Sequence, residues 1–216
     1  MSEKKKIIIV GGGAASFFTA ANLDENKYDV IILEQNSDVL QTVKVSGGGR
    51  CNVTHACFEP RELTQFYPRG NRELLSVFTK FQPGDTMDWF ESRNVPLKIE
   101  KDNRVFPESD SSQSIMNALI NEVRNKNFVV KNQVSVTEIV KENENYIIKT
   151  KQGDFAADIV IYTTGSSPKS LKIIENLGHK IVEPVPSLFT FNIKSDLLKD
   201  LPVTSFENAE IRIPGL

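Results

Sequence analysis

Cysteine, histidine and tryptophan are scarce in this 216-residue sequence, which holds two, two and one of them. Cys51 and Cys57 alone cannot build a disulfide framework, so the fold must rest on burial, and a reducing compartment suits it. His55 and His179 lie far apart, with no cysteine or carboxylate at metal-ligand spacing, and no metal is expected. An excess of either charge is missing as well: 26 Lys and Arg against 28 Asp and Glu leave a net charge of −2. Basic and acidic residues interleave, which argues against a nucleic-acid partner and against an acidic tail. Long apolar runs are absent too. The opening MSEKKKIIIV has the basic tip and apolar start of a signal peptide, but Gly11, Gly12 and Gly13 interrupt it, and Asp24-Glu25 end the apolar stretch beyond them. Neither an export signal nor a span of ~20 apolar residues results, so a soluble cytoplasmic protein with no membrane partner is expected.

The composition is otherwise that of an ordinary globular protein, 39% hydrophobic and 25% charged, in a chain long enough to bury roughly 70% of its unfolded surface. Residues 6–10 (KIIIV) are a β-branched run that stops at the three glycines, the mark of a buried parallel strand entering a tight turn. Small and apolar residues over 14–25 have helical character, and 29–34 (DVIILE) form a second buried strand. A right-handed crossover makes these two strands parallel neighbours. Residues 35–58 lack periodicity and read as a long loop around SGGGRCN. Two helices are expected within 71–93, then strand pieces PLKIE and NRVFP around a turn at Asp102-Asn103. Ile115, Leu119, Ile120 and Val123 share one face of a capped helix in SQSIMNALINEVRNK, and Phe78, Phe81, Trp89 and Phe90 read as core. Strands are expected near 128–131, 133–140 and 145–150, then a segment FAADIVIYTTG ending at Gly165 and a helix over 168–176. Pro184 and Pro186 mark a boundary, because proline cannot sit in a continuing central strand, and divide the chain into 1–183 and 184–216.

Three features carry chemistry. Gly11, Gly13 and the small Ser16 form a G-x-G-x-x-small turn between strand and helix, and Glu34 ends the next strand. Gly11 permits the turn, Gly13 admits a pyrophosphate to the backbone, and Ser16 lets the helix pack on the sheet. Free N–H groups at the helix start favour phosphate charge, and Glu34 suits an adenosine ribose without a 2′-phosphate, with Gln35 beside it. NAD and FAD both use such a turn. The second feature, Ser46, Gly47, Gly48, Gly49, Arg50, Cys51 and Asn52, comes after the second strand, where a chain wrapped around FAD passes the flavin; Arg50 there can face the pyrophosphate or the flavin edge. The third is Thr163-Thr164-Gly165 at a strand end, the side of a doubly wound sheet on which ligands lie.

VGGGAAS, KVSGGGRCNVT, NRVFPES and TTGSSPKSLKIIENLGHKIVEPVPSLF together resemble the BaiN/YhiN-like family of NAD(P)/FAD-dependent oxidoreductases, also labelled aminoacetone oxidase family FAD-binding enzymes. The resemblance runs in order along essentially the whole chain, and KVSGGGRCN is its most specific part. It implies an α/β fold: a Rossmann-like FAD-binding domain of glutathione-reductase type, a ββα three-layer arrangement, with the start of an inserted β-rich substrate domain. It further implies that Gly11, Gly13, Ala14 and Ala15 meet the pyrophosphate, Glu34 the ribose, and the run from Lys44 to Asn52 the flavin end. A strand around Val136 would contact adenine through its backbone, and Thr164-Gly165 would close the site. The sequence departs from the family pattern at Thr163 and Ser166 and in the shortened PKS after them. The late Gly-Asp pair whose acid holds the ribitol is missing, since Gly84-Asp85 and Gly153-Asp154 come too early, and the chain reads as the N-terminal portion of a longer protein.

The reading is an FAD-dependent oxidoreductase passing electrons between a donor and a small organic substrate or oxygen, with NADH or NADPH at most a transient visitor. One alternative is a catalytically silent dinucleotide-binding fragment. Another is a flavin disulfide reductase using Cys51 and Cys57, disfavoured because five residues separate them. His55 is a candidate proton donor, although a solvated loop histidine is the plainer reading, and His179 reads as structural. Tyr67, Arg69, Arg72 and Arg104 offer an anion site, with surface ion pairing the plainer reading. No catalytic acid or base is named, and the sequence leaves the oligomeric state open.

Overall fold

The structure is a computed structural model that describes residues 3–185. Residues up to Ile181 form one compact unit. In chain order its strands and helices are β1 (Lys5–Val10), α1 (Ala14–Ala21), β2 (Tyr28–Leu33), α2 (Gln41–Val45), β3 (Thr54–His55), α3 (Pro60–Leu63), α4 (Asn71–Phe78) and α5 (Pro83–Glu91). The remaining elements are β4 (Leu97–Ile99), β5 (Arg104–Pro107), α6 (Ser112–Asn125), β6 (Val129–Lys131), β7 (Val136–Glu142), β8 (Asn145–Thr150), β9 (Phe155–Ala157), β10 (Ile159–Tyr162) and α7 (Pro168–Asn176).

The central sheet has the order β10-β1-β2-β6 and is parallel throughout, with Ile8 opposite Ile31 on one side and Val160 on the other. Because β1 is buried on both faces, its β-branched residues divide by parity. Ile7 and Ile9 pack with Phe17 and Ala20 of α1, Trp89 and Phe90 of α5, and Ile115 and Leu119 of α6. Ile8 and Val10 pack instead with Ile139, Ile148 and Ala157 of the antiparallel meander β7-β8-β9. Each such fully buried aliphatic side chain contributes about 1.5–3 kcal/mol. The result is the ββα three-layer arrangement expected: meander, parallel sheet, helices. A separate antiparallel sheet, β3-β5-β4, carries the NRVFP hairpin.

Several expectations are met closely. α6 is capped by Ser111, whose hydroxyl accepts the Gln113 N–H, and it buries Ile115, Leu119 and Val123 with Ile120 packed alongside. α7 stops at Gly178 in the left-handed region, and the His179 N–H donates to Ile174 O, so LGH is a helix terminator. Others need correction. Residues 35–58 are not a plain loop, since α2, a 3-10 turn over Ser46–Gly49 and β3 lie within them. FAADIVIYTTG is two strands in two sheets, broken at Asp158, which exchanges hydrogen bonds with Lys6. Trp89 and Phe90 are core, whereas Phe78 is half-buried and Phe81 exposed, its ring meeting Phe18 edge-on. The β-rich domain expected from residue 184 lies outside the described residues, apart from Pro184 and Val185.

Candidate dinucleotide site

A cleft of about 480 Å³ opens at the carboxyl ends of β1, β2 and β10, where ligands of doubly wound sheets lie. Its wall includes Gly11 to Ala15, Glu34 to Asn36, Val134 to Val136 and Thr163 to Gly165. Three of the expected elements therefore meet there: the glycine turn, the acid after the second strand, and the TTG strand end. Val136, expected beside adenine, joins them at the first residue of β7.

The three glycines do different things. Gly11 has φ +104°, and a Cβ on it would lie 2.7 Å from Thr163 O, so both backbone shape and the neighbouring strand require glycine. A Cβ on Gly12 would meet the Glu34 carboxylate at 2.8 Å. A Cβ on Gly13 would meet nothing within 4 Å and would enter the cleft itself. Gly13 is the N-cap of α1, with no side-chain cap, so the N–H groups of the first turn, Ala14 and Ala15 among them, have no acceptor within the helix. That is a cradle for an anion, shaped so that any side chain at residue 13 would fill it.

Glu34 is 8% exposed and held on every side. Its Oε2 accepts the Gly12 N–H at 2.6 Å, and its Oε1 accepts both the Asn36 N–H and the Asn36 Nδ2 at 2.8 and 2.7 Å. Its own backbone is pinned by Lys131 O and by the Val134 N–H. A carboxylate accepts about four hydrogen bonds, so one position stays open for a hydroxyl donor. Thr164 Oγ1 at the opposite wall is buried with no hydrogen-bond partner, while the nearby Tyr162 hydroxyl donates to Ser170 O. An open N–H cradle, an acid with one spare acceptor and an orphaned hydroxyl fit an adenine dinucleotide.

Not every expected residue faces this cleft. Ser16 is fully buried, its hydroxyl donating to Gly13 O at 2.6 Å, so it packs the helix and does not line the cleft. Arg50 turns to Glu100 and Asp110 and lies over the Phe106 ring, so its guanidinium is already committed within the protein. Gly47, Gly48 and Gly49 adopt φ values of 56, 68 and 87°, which explains three glycines in a row. Cys51, beyond Arg50, also has a positive φ of 65°; it is 6% exposed, and burial pushes its thiol up from the ordinary range. Cys57 is half-buried beside His55, Phe58 and Phe66 in a second groove, so the two thiols have different surroundings and both are free. Arg104 pairs with Asp102 and Glu100, the plainer of its two readings. Among the described residues, no group of three or more His, Cys, Asp and Glu is placed to hold a metal, and no helix is long and apolar enough to cross a membrane.

Sequence reasoning missed Asn36, which orders Glu34, and Leu40, whose N–H donates to Gly12 O and whose side chain is buried. The signal for Asn36 was the EQNS stretch, which puts an amide donor two residues after the strand acid. Gly12 was also passed over, because it occupies the first variable position of the G-x-G-x-x pattern.

The HI0933-like protein Rossmann domain family matches residues 5–199. The chain belongs to that family. The resemblance to BaiN/YhiN-like oxidoreductases is borne out at this level. The chain is 26% identical over 183 residues to the 3-dehydro-bile acid delta(4,6)-reductase of Clostridium scindens, covering 81% of itself and 44% of that protein. It is 24% identical over 182 residues to the ribosomal RNA dihydrouridine synthase of Escherichia coli, again with 81% and 44% covered. The chain thus spans less than half the length of each relative. Among solved structures, Thermovibrio ammonificans THI4 matches with a TM-score of 0.54 at 13% identity, covering 82% of this chain and 64% of that one. L-proline dehydrogenase from P. horikoshii matches at 0.50 and 14%, with 85% and 58% covered. The fold of this HI0933-like chain is the Rossmann-type FAD-binding fold.

Proposed function

We propose that this HI0933-like chain holds FAD as part of an oxidoreductase that reduces a small organic substrate. The observation that carries the reading is the side-chain-free backbone of Gly13 at the N-cap of α1, next to the unsatisfied N–H groups of its first turn and in the same cleft as Glu34. Bound there, FAD would supply hydride transfer, which no protein side chain provides.

The protein's part is binding and orientation. The N–H groups of Ala14 and Ala15 and the positive end of α1 hold the pyrophosphate. Glu34 takes the adenosine ribose on its spare acceptor position, and Asn36 prevents the carboxylate from turning away. The chain at 134–136 would meet the adenine and Thr164-Gly165 the pyrophosphate end, all of them lining the cleft. The 44–52 run would meet the flavin end, where glycine backbone permits close approach. In this reading residues 1–183 are the dinucleotide domain and a β-rich substrate domain begins at 184.

The names of the two curated relatives, a reductase and a dihydrouridine synthase, both denote reductions, which supports the reductive direction. Among the described residues there is one dinucleotide turn, which supports NADH or NADPH as a transient visitor and not as a second resident cofactor. The balanced surface charge supports a small-molecule acceptor over RNA, and the two scarce, unpaired thiols support a cytoplasmic setting.

The test is optical. Purified full-length chain carries near-stoichiometric FAD, and the flavin bleaches on anaerobic mixing with NADH or NADPH. A colourless protein that takes up no added FAD overturns the reading and leaves the silent-fragment alternative.

A further inference from the structure

We propose that Arg50 is the positioning residue of the glycine-rich run and does not itself touch the cofactor; this rests on the reading that the 44–52 run faces the flavin. Arg50 leaves the 3-10 turn Ser46–Gly49 and reaches the β4-β5 hairpin. Its Nη1 donates to Glu100 Oε1 at 2.6 Å and to Asp110 Oδ1 at 3.2 Å, and its guanidinium lies 3.9 Å over the Phe106 ring. Glu100 comes just after β4, Asp110 precedes α6, and Phe106 lies in β5, so one side chain ties the run to three parts of a separate sheet and helix entry.

The opposite face of the arrangement is the glycine backbone. A Cβ on Gly47 would lie 2.8 Å from both Asn52 N and Phe106 Cε1, so the fully buried Phe106 ring meets the glycine backbone at one edge as well as the Arg50 guanidinium over its face. The other end of the run is tied as well, since the Ser112 hydroxyl donates to Lys44 O at 3.0 Å. Between these anchors the turn is closed by its own backbone, the Cys51 N–H donating to Ser46 O at 3.0 Å and the Arg50 N–H to Gly47 O at 3.4 Å, while a Cβ on Gly48 would meet nothing within 4 Å and one on Gly49 only Lys44 O at 3.9 Å. Three left-handed glycines carry the largest backbone entropy in the unfolded chain, and their shape must come from the contacts that hold their ends.

The chemistry requires arginine. A planar guanidinium stacks on an aromatic ring and pairs with a carboxylate in the same plane, and a lysine ammonium cannot do both. The two carboxylates are shared with second cations, Asp110 with Lys98 and Glu100 with Arg104, so Arg50 is embedded in a network that its loss would leave unbalanced. The Arg50 and Glu100 side chains are 33% and 27% exposed, shielded enough to hold one geometry.

The experiment compares wild type, Arg50→Lys and Glu100→Gln as full chains, without and with FAD. Amide hydrogen exchange over 46–52 is measured in cofactor-free protein, alongside FAD affinity and melting midpoint. Faster exchange confined to 46–52 is expected in both variants, together with an FAD affinity lowered about tenfold, as for the loss of one charge-assisted contact. Unchanged exchange in Arg50→Lys overturns the proposal, and so does weaker FAD binding with unchanged exchange, because that result means direct contact. Glu100→Gln keeps the test decisive if Arg50→Lys does not fold, since it loosens the same tie from the hairpin side. Failure of wild type to take up FAD overturns the functional reading instead, and the exchange data still decide whether Arg50 anchors the run.

Discussion

Glu34 Oε2 accepts the Gly12 N–H at 2.6 Å, so the acid after the second strand and the glycine turn after the first are one hydrogen-bonded unit. Glu34→Gln removes this. Whichever way the amide is placed, its NH₂ faces an N–H donor from Gly12 or from Asn36, at a buried position. Leaving such a donor unsatisfied costs about 1–3 kcal/mol. Urea unfolding is expected to show a loss of that size, and FAD titration a weaker complex.

Gly11 and Gly13 separate stability from binding. Gly11→Ala forces a side chain onto Thr163 O and keeps φ +104°, so destabilisation of about 1–2 kcal/mol or more is expected in thermal melts. Gly13→Ala has φ −89° and open space, and its stability is expected to fall by no more than about 1 kcal/mol, the difference between Gly and Ala at an N-cap. Gly13→Val fills the same open space further and loses FAD. A normal flavin content in folded Gly13→Val protein is the result that contradicts the placement of the pyrophosphate.

The ion network predicts an acid dependence. Lys98, then Arg50, hold the Asp110 carboxyl below its ordinary value of 3.8. A carboxylate with a depressed pKa in the folded state stabilises it above the unfolded pKa and ceases to do so as pH falls through the folded one. Wild type therefore loses this contribution below about pH 4, whereas Asp110→Asn has already lost it at neutral pH. Melting curves of the two proteins should converge on acidification. Curves that stay parallel from neutral pH to about pH 3 contradict the assignment.

The thiols should differ in reactivity. Cys51 is buried with its thiol pushed up, so Cys57 is expected to alkylate first in native protein at neutral pH. Cys57→Ser is expected to keep its flavin and its reduction by NAD(P)H. Loss of activity in that variant, with flavin retained, revives the disulfide-reductase reading.

The strands β1 and β2 and the helix α6 were legible because burial dictates their composition: β-branched runs where both faces are covered, a 3.6-residue stripe where one is. The glycine turn with Glu34 was legible for the same reason, as all its parts lie within the first 34 residues. The intramolecular partners of Arg50 were not legible because they lie 50 and 60 residues further on, and nothing in SGGGRCN announces them. The short helix α2 and the 3-10 turn were hidden because left-handed glycines erase periodicity. The break at Asp158 was hidden too, since an apolar run does not say which of two sheets each half joins.

Gly11 fits only against Thr163 O, and the Thr163 N–H donates to Val10 O at 2.9 Å. One lip of the nucleotide cleft is therefore supplied by residues some 150 positions after the other. During synthesis the opening strand, turn and helix emerge early, but the mouth they form has no second side until β10 has left the ribosome and docked. Contacts so distant in sequence assemble late. The cleft thus gains its second side in one step, once the chain through residue 165 is clear of the ribosome, and the Thr163–Val10 hydrogen bond is a record that the central sheet has closed.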